Sequence, residues 1–153
     1  MDIIVDIICQ VYAGQKSVKT IDLVLNTFLS GYDKLNLDYA HPGHDKNYIF
    51  KTEDEMIRYF IETPSITQTF YWNKYYGNPE KIMVGANITD DGKLIMSLTL
   101  NGDKETEKRY FDQLKSILQS DIGVVTYVEP VDYEDGEDFI VRYGINKNYN
   151  TLL

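Results

Sequence analysis

Apolar and polar positions alternate most clearly on either side of the tetrapeptide TDDG at residues 89–92. After this tetrapeptide, apolar residues stand at every second position, at Leu94, Met96, Leu98 and Leu100. The Asp91-Gly92 step is typical of the tight turn of a β-hairpin, because glycine adopts a positive φ without steric cost. The sequence therefore predicts a hairpin formed by residues 81–88 and 93–100.

Further strands are predicted by runs that are rich in β-branched, apolar or aromatic residues. These runs cover residues 2–12, 66–76, 122–128 and 139–143. A short strand is also predicted at residues 48–50, where the polar segment 32–50 ends. Cys9 lies in the first run and is expected in the core. In the run 66–76, alternate rings are expected to face the core and an interface, as the period of a strand requires.

Three segments carry the signals of helices. Ser17 is a good N-cap for a helix that ends near Gly31, and Thr52 with Glu55 forms a capping box for a short helix that ends before Pro64. Asp103 is placed to cap a third helix that runs through about residue 119. Apolar residues recur along these segments at intervals of three and four, so each helix has one face to bury.

The order of these elements predicts an α+β fold. We expect an antiparallel or mixed sheet with two or three helices packed mainly on one face. A chain of 153 residues, 43% of them hydrophobic, is near the commonest domain size. Residues 1–153 are therefore expected to form a single domain, with a frayed tail at about residues 145–153.

Charge and cysteine content limit the kinds of partner and the cellular compartment that are expected. The chain has 24 acidic and 15 basic residues and a formal charge of −9, which repels nucleic acids and anionic membranes. The single cysteine forms no internal disulfide, the first residues lack the basic start of a signal peptide, and no apolar run is long enough to span a membrane. A cytoplasmic location is therefore expected, with no nucleic-acid or membrane partner.

Two segments invite a metal interpretation, and both fit it poorly. His41, His44 and Asp45 offer metal-ligating groups, but Pro42 and Gly43 prevent a regular helix turn and the sequence contains no further histidine. Residues 132–138 are dense in carboxylates, but glycine falls at the fifth position where a calcium loop requires it at the sixth. We interpret both as surface loops and expect neither a metal nor another cofactor.

Signals of catalysis are weak as well. Cys9 lies within an apolar strand, where a thiol usually packs inertly. The sequence contains no nucleophile elbow, P-loop, dinucleotide-binding glycine motif or zinc-protease motif. A non-catalytic role is expected. The alternative is a small enzyme or ligand-binding domain with a pocket between the sheet and the helix near residues 52–62, using His41, His44 or Tyr48.

The segment 129–138 is the best candidate for a binding site. It contains six acidic residues, no basic residue and an interleaved tyrosine. Acidic side chains attract a basic protein over long distances, and tyrosine is enriched at the centres of interfaces. The predicted partner-binding residues are Glu129, Asp132, Tyr133, Glu134, Asp135, Glu137 and Asp138. A solvated acidic loop is the simpler alternative.

As a whole, the chain resembles the immunity proteins that bacteria pair with polymorphic toxins. The resemblance is to the class. It is carried by the acidic, tyrosine-rich α+β character and by the stretch DDGKLIMSLTLNGD with the following helix EKRYFDQLKSIL. It implies a bacterial, cytoplasmic protein that neutralises a cognate toxin by occluding its active site. In such pairs acidic side chains often face a basic nuclease surface.

Overall fold

A computed structural model describes residues 5–39 and 49–144. They form one antiparallel five-stranded sheet in the order β2-β3-β4-β1-β5. The strands are β1 Val5–Gln15, β2 Gln68–Trp72, β3 Met83–Ile88, β4 Lys93–Gly102 and β5 Gly123–Thr126. The predicted hairpin is confirmed as β3 and β4, with Gly92 at φ +76° in its turn.

The described residues form four helices, α1 Val18–Phe28, α2 Glu53–Glu62, α3 Lys104–Leu118 and α4 Gly136–Tyr143. All three predicted N-caps are confirmed. The side chains of Ser17, Thr52 and Asp103 accept hydrogen bonds from the backbone N–H groups three residues ahead. None of the helices described is long and apolar enough to cross a membrane.

The predicted strand at residues 139–143 is wrong, because this segment belongs to α4. The Asp135 side chain accepts a hydrogen bond from the N–H of Asp138 and so caps a helix. The carboxylate of Asp138 then pairs with Arg142 one turn later, at 2.9 Å. These local interactions outweigh the β-branched composition of a short segment.

The short strand predicted at residues 48–50 is also wrong for the part that can be seen. Ile49 and Phe50 lie outside any strand, although Phe50 is buried in the core. Tyr48 is not among the described residues. The apolar pattern there reflects burial of one aromatic ring and not pairing with the sheet.

Helices α1, α2 and α3 cover one face of the sheet and enclose the main core. Alternate strand residues point into it, including Ile7, Cys9 and Val11 of β1. Phe60, Phe70 and Trp72 add an aromatic cluster with ring centroids 5.5 to 6.0 Å apart. The expected α+β fold with helices mainly on one face is confirmed, and so is the place of Cys9 in the core.

The opposite face is covered only in part. Helix α4 lies over β1 and β4 and buries Phe139 against Ile95 and Val124 in a second, smaller cluster. Over the remaining part of β2, β3 and β4, this face carries Tyr71, Gly85, Asn87 and other small or polar residues, and it borders an open groove. The candidate site lies on this face.

Removing the Phe139 ring should loosen α4 from the sheet. This side chain is fully buried, so Phe139→Ala should lower the free energy of unfolding by about 3 kcal/mol, as truncations of buried phenylalanine do. Val141→Ala is the matched control, because Val141 on the same helix is 70% exposed, and it should change stability by less than about 0.5 kcal/mol. Urea denaturation measures both, and equal effects of the two variants would contradict this packing.

Candidate functional site

The connection from β5 to α4 crosses the uncovered face of the sheet. Residues 129–138, called here the acidic strap, carry all the predicted partner-binding side chains. The Thr126 hydroxyl donates a hydrogen bond to the carbonyl of Glu129 at 2.8 Å. The backbone N–H of Val131 donates to Oε1 of Gln10, a buried residue of β1, at 2.9 Å. The strap is therefore attached to β5 and β1, at one side of the sheet.

Tyr133 forms the next attachment. The side-chain amide of Asn87 on β3 donates a hydrogen bond to the Tyr133 hydroxyl. The Tyr133 ring meets the Phe139 ring edge-on, with centroids 5.0 Å apart. Burial raises the pKa of Tyr133, so the hydroxyl stays protonated at neutral pH. This side chain links the strap to both the sheet and α4.

The β3–β4 turn holds the far end of the strap. The Asp91 carboxylate accepts hydrogen bonds from the N–H groups of Gly136 and Glu137, both at 3.0 Å, and from the Thr89 hydroxyl. Glycine is required at position 136, because a Cβ there would overlap the Lys93 side chain. Partial burial tends to raise the pKa of Asp91, but the Thr89 hydroxyl and these backbone N–H groups outweigh it and hold the pKa below its usual value.

Two of the six acids in the strap have structural partners. Asp135 is the N-cap of α4. Asp138 accepts a hydrogen bond from the N–H of Glu134 and pairs with Arg142, and these contacts lower its pKa. The sequence shows a single acidic run and does not reveal that Asp135 and Asp138 have structural roles.

The other four acids are exposed, and none forms an ion pair with a described residue. They are Glu129, Asp132, Glu134 and Glu137. The strap that carries them is held in place, because Gln10 and Asp91 bind its backbone and Asn87 binds the Tyr133 side chain. The strap thus presents four free carboxylates on a fixed backbone.

A groove of about 520 Å³ lies between the strap and the sheet. Its floor includes Gly85 and Ser97, which are opposite each other on β3 and β4. Tyr71 lines one side and Pro130 to Tyr133 line the other. Among the described residues, the charged residues in its lining are Glu129 and Asp132. The groove is therefore negatively charged and open to solvent.

Sequence reasoning placed the strap in the candidate site but missed the groove beside it. Ser97 and Thr99 alternate with buried leucines, which signals that one face of the hairpin is not packed in the core. That signal identifies the open face, but not the strap that crosses it. The predicted alternation of rings in β2 is confirmed, since Phe70 and Trp72 are buried and Tyr71 is 44% exposed.

Other candidate chemistry lies elsewhere. His41, His44 and Asp45 fall outside the described residues, and the described residues contain no group of three potential metal ligands. Burial raises the pKa of Cys9 to about 12, so its thiol is not a nucleophile at neutral pH. Between α2 and the sheet, the space is occupied by buried side chains that include Met56, Phe60 and Trp72.

Comparisons with known proteins place few constraints on the chain. No protein-family model matches it, and no curated protein matches it significantly. One similar chain is found in the crystal structure of the toxic C-terminal tip of CdiA from Pseudomonas aeruginosa in complex with immune protein. The two are 11% identical with a TM-score of 0.45, and the match covers 85% of this chain and 92% of that one.

The attachment at Asp91 should make stability depend on pH. Asp91→Asn removes the charge and one acceptor oxygen, so we expect a loss of about 1 kcal/mol at pH 7, similar to loss of a helix cap. The folded pKa lies below the value of 3.8 in the unfolded chain. The contribution is therefore present above that pH and is lost as the pH falls through the folded pKa.

Urea denaturation at pH 7 and at about pH 3 tests this expectation. Asp90→Asn is the control, because Asp90 is the exposed neighbour in the same turn. The difference between Asp91→Asn and the unmodified chain should shrink at the lower pH. If Asp90→Asn and Asp91→Asn have the same effect at pH 7, the attachment does not stabilise the fold.

Proposed function

We propose that this chain is a non-catalytic bacterial immunity protein that neutralises a cognate protein toxin by direct binding, with the acidic strap as part of the contact surface. One observation supports this most directly. Four carboxylates that form no ion pair with a described residue stand on a strap that Gln10, Asn87 and Asp91 hold against the sheet and its β3–β4 turn. Such a surface suits a basic partner.

The charge of the whole chain supports the same partner. A formal charge of −9 attracts a basic protein from beyond contact distance, and the strap concentrates part of that charge beside an open groove. Electrostatic attraction of this kind mainly increases the rate of association. A nuclease toxin has a basic surface wherever it binds phosphate, so an acidic protein covering that surface would block its substrate.

Rigidity also favours a binding role. A loop that must become ordered when it binds loses conformational entropy, and this loss lowers affinity. The strap avoids much of it, since Gln10 and Asp91 already hold its backbone and Asn87 holds the Tyr133 side chain. In this proposal, the chain acts in the cytoplasm as a single domain and needs no cofactor.

The structure indicates which substitutions test the strap without disturbing the fold. Asp135 and Asp138 serve α4 and should be kept. The test variant changes the four free acids, as Glu129→Gln, Asp132→Asn, Glu134→Gln and Glu137→Gln. A control variant removes the same charge from exposed acids outside the strap, as Asp22→Asn, Asp38→Asn, Glu62→Gln and Asp121→Asn.

The tagged chain should capture a stoichiometric basic protein from lysate of its own bacterium at low salt. We expect the strap variant to associate with that protein more slowly, by about tenfold or more at low salt, and with a weaker dependence on salt. The association rate of the control variant should decrease much less. Surface plasmon resonance with the captured protein measures all three association rates.

A growth assay tests neutralisation. The captured protein expressed alone should arrest growth of a susceptible host, and co-expression of this chain should restore it. If the captured protein is harmless, or if no protein is captured at either low or high salt, the immunity function is wrong. If the strap variant binds the toxin as fast as the control variant, the strap does not belong to the interface.

A further inference from the structure

The floor of the groove is shaped by two residues with little or no side chain. Gly85 pairs with Tyr71 on β2 and with Ser97 on β4. A Cβ on Gly85 would overlap the Ser97 hydroxyl and would lie 2.9 Å from Cε1 of the Tyr71 ring. Because residue 85 is glycine, the Tyr71 ring packs against β3 at this position. One flank of the groove is therefore an aromatic ring fixed against the sheet.

The opposite flank carries the charge. Glu129 and Asp132 line the groove from the strap, and neither forms an ion pair with a described residue. Within the part of the chain that the structure describes, no basic side chain lines the groove. Its two flanks thus offer an aromatic ring and two free carboxylates on either side of a small-residue floor.

This combination matches one side chain better than any other. A guanidinium group is planar, so it stacks on a tyrosine ring, and its N–H groups donate to carboxylates in a forked geometry. A lysine ammonium group is a compact, strongly hydrated point charge that does not stack in this way. The groove has a volume of about 520 Å³ and is open to solvent, so the side chain of another protein can enter it.

We infer that the groove between Tyr71 and the acidic strap is the binding pocket for an arginine side chain of the partner. The inference rests on the proposed function, because it names one contact of the same interface. The guanidinium group stacks on Tyr71 and pairs with Glu129 and Asp132, while the stem lies over Ser97. An arginine held in this way is buried between the two proteins and contributes to specificity as well as to attraction.

The pocket is tested without the natural partner, by titrating the tripeptide acetyl-Gly-Arg-Gly-amide into the ¹⁵N-labelled full chain and recording NMR shifts. We expect saturable shifts at the amides of Gly85, Ser97 and Asp132. The same peptide with citrulline, which keeps the shape and lacks the charge, should bind at least about fivefold more weakly. The lysine peptide should bind more weakly than the arginine peptide.

Two variants and their matched controls locate the binding. Tyr71→Thr removes the ring and keeps a β-branched residue in the strand, while Tyr75→Thr removes a ring that is 85% exposed and outside the groove. Glu129→Gln with Asp132→Asn removes the charge of the groove, and Asp22→Asn with Asp121→Asn is its control. Both groove variants should weaken the arginine peptide at least about fivefold, and both controls should leave it unchanged.

The outcomes separate this inference from the proposed function. If the arginine peptide gives no saturable shifts in the groove, or binds equally to the groove variants with intact spectra, the pocket is overturned even where the captured toxin still depends on the strap. If the peptide binds as expected and no toxin is captured, the pocket stands and the immunity function fails. Spectra of the free variants show whether each one is folded.

Discussion

The attachment of the acidic strap to the uncovered sheet face is the constraint on which the site depends. Gln10 is buried on β1, a central strand, and its side chain holds the backbone of Val131. A buried amide without a partner would be costly, so this hydrogen bond stabilises the fold while it fixes the strap. Asn87 and Asp91 repeat the arrangement on β3 and in the β3–β4 turn. Three polar side chains of the sheet therefore determine where the acids of the strap stand.

This arrangement separates stability from binding within one short segment. Asp135, Asp138 and Tyr133 make contacts that hold α4 and the strap in place. The exposed acids of the strap make no such contacts, and their mutual repulsion is a cost that the attachments offset. A surface of like charges on a fixed backbone does not stabilise the isolated chain. It suits a second molecule that brings the opposite charge.

Local signals in the sequence predicted most elements, because caps and turns depend on neighbouring residues. Ser17, Thr52 and Asp103 cap the predicted helices, and Asp91-Gly92 lies in the turn of the predicted hairpin. The prediction of a strand at residues 139–143 failed. The preference of a short β-branched segment for a strand is weaker than the effect of an N-cap and of an ion pair between residues one turn apart. The acidic run in the sequence gave no sign that Asp135 caps a helix and that Asp138 pairs with Arg142.

The acidic residues of the candidate site could be predicted from the sequence, but the groove could not. Its acidic residues are contiguous from Glu129 to Asp138, so composition alone reveals them. The groove combines Tyr71, Gly85 and Ser97 from three strands with the strap, and no local pattern reports that they meet. The long-range contacts between Gln10 and Val131, and between Asp91 and Gly136, create the site. Such contacts become visible only in the folded chain.

The most direct test of a strap-mediated interface is carboxyl footprinting of the chain, free and bound to its captured partner. A carbodiimide with glycine ethyl ester labels exposed carboxylates, and mass spectrometry reads each position. We expect Glu129, Asp132, Glu134 and Glu137 to be protected in the complex, while Asp22 and Asp121, outside the strap, keep their labelling. Equal labelling of the strap in both states, or protection confined to Asp22 on α1, would contradict the proposed surface.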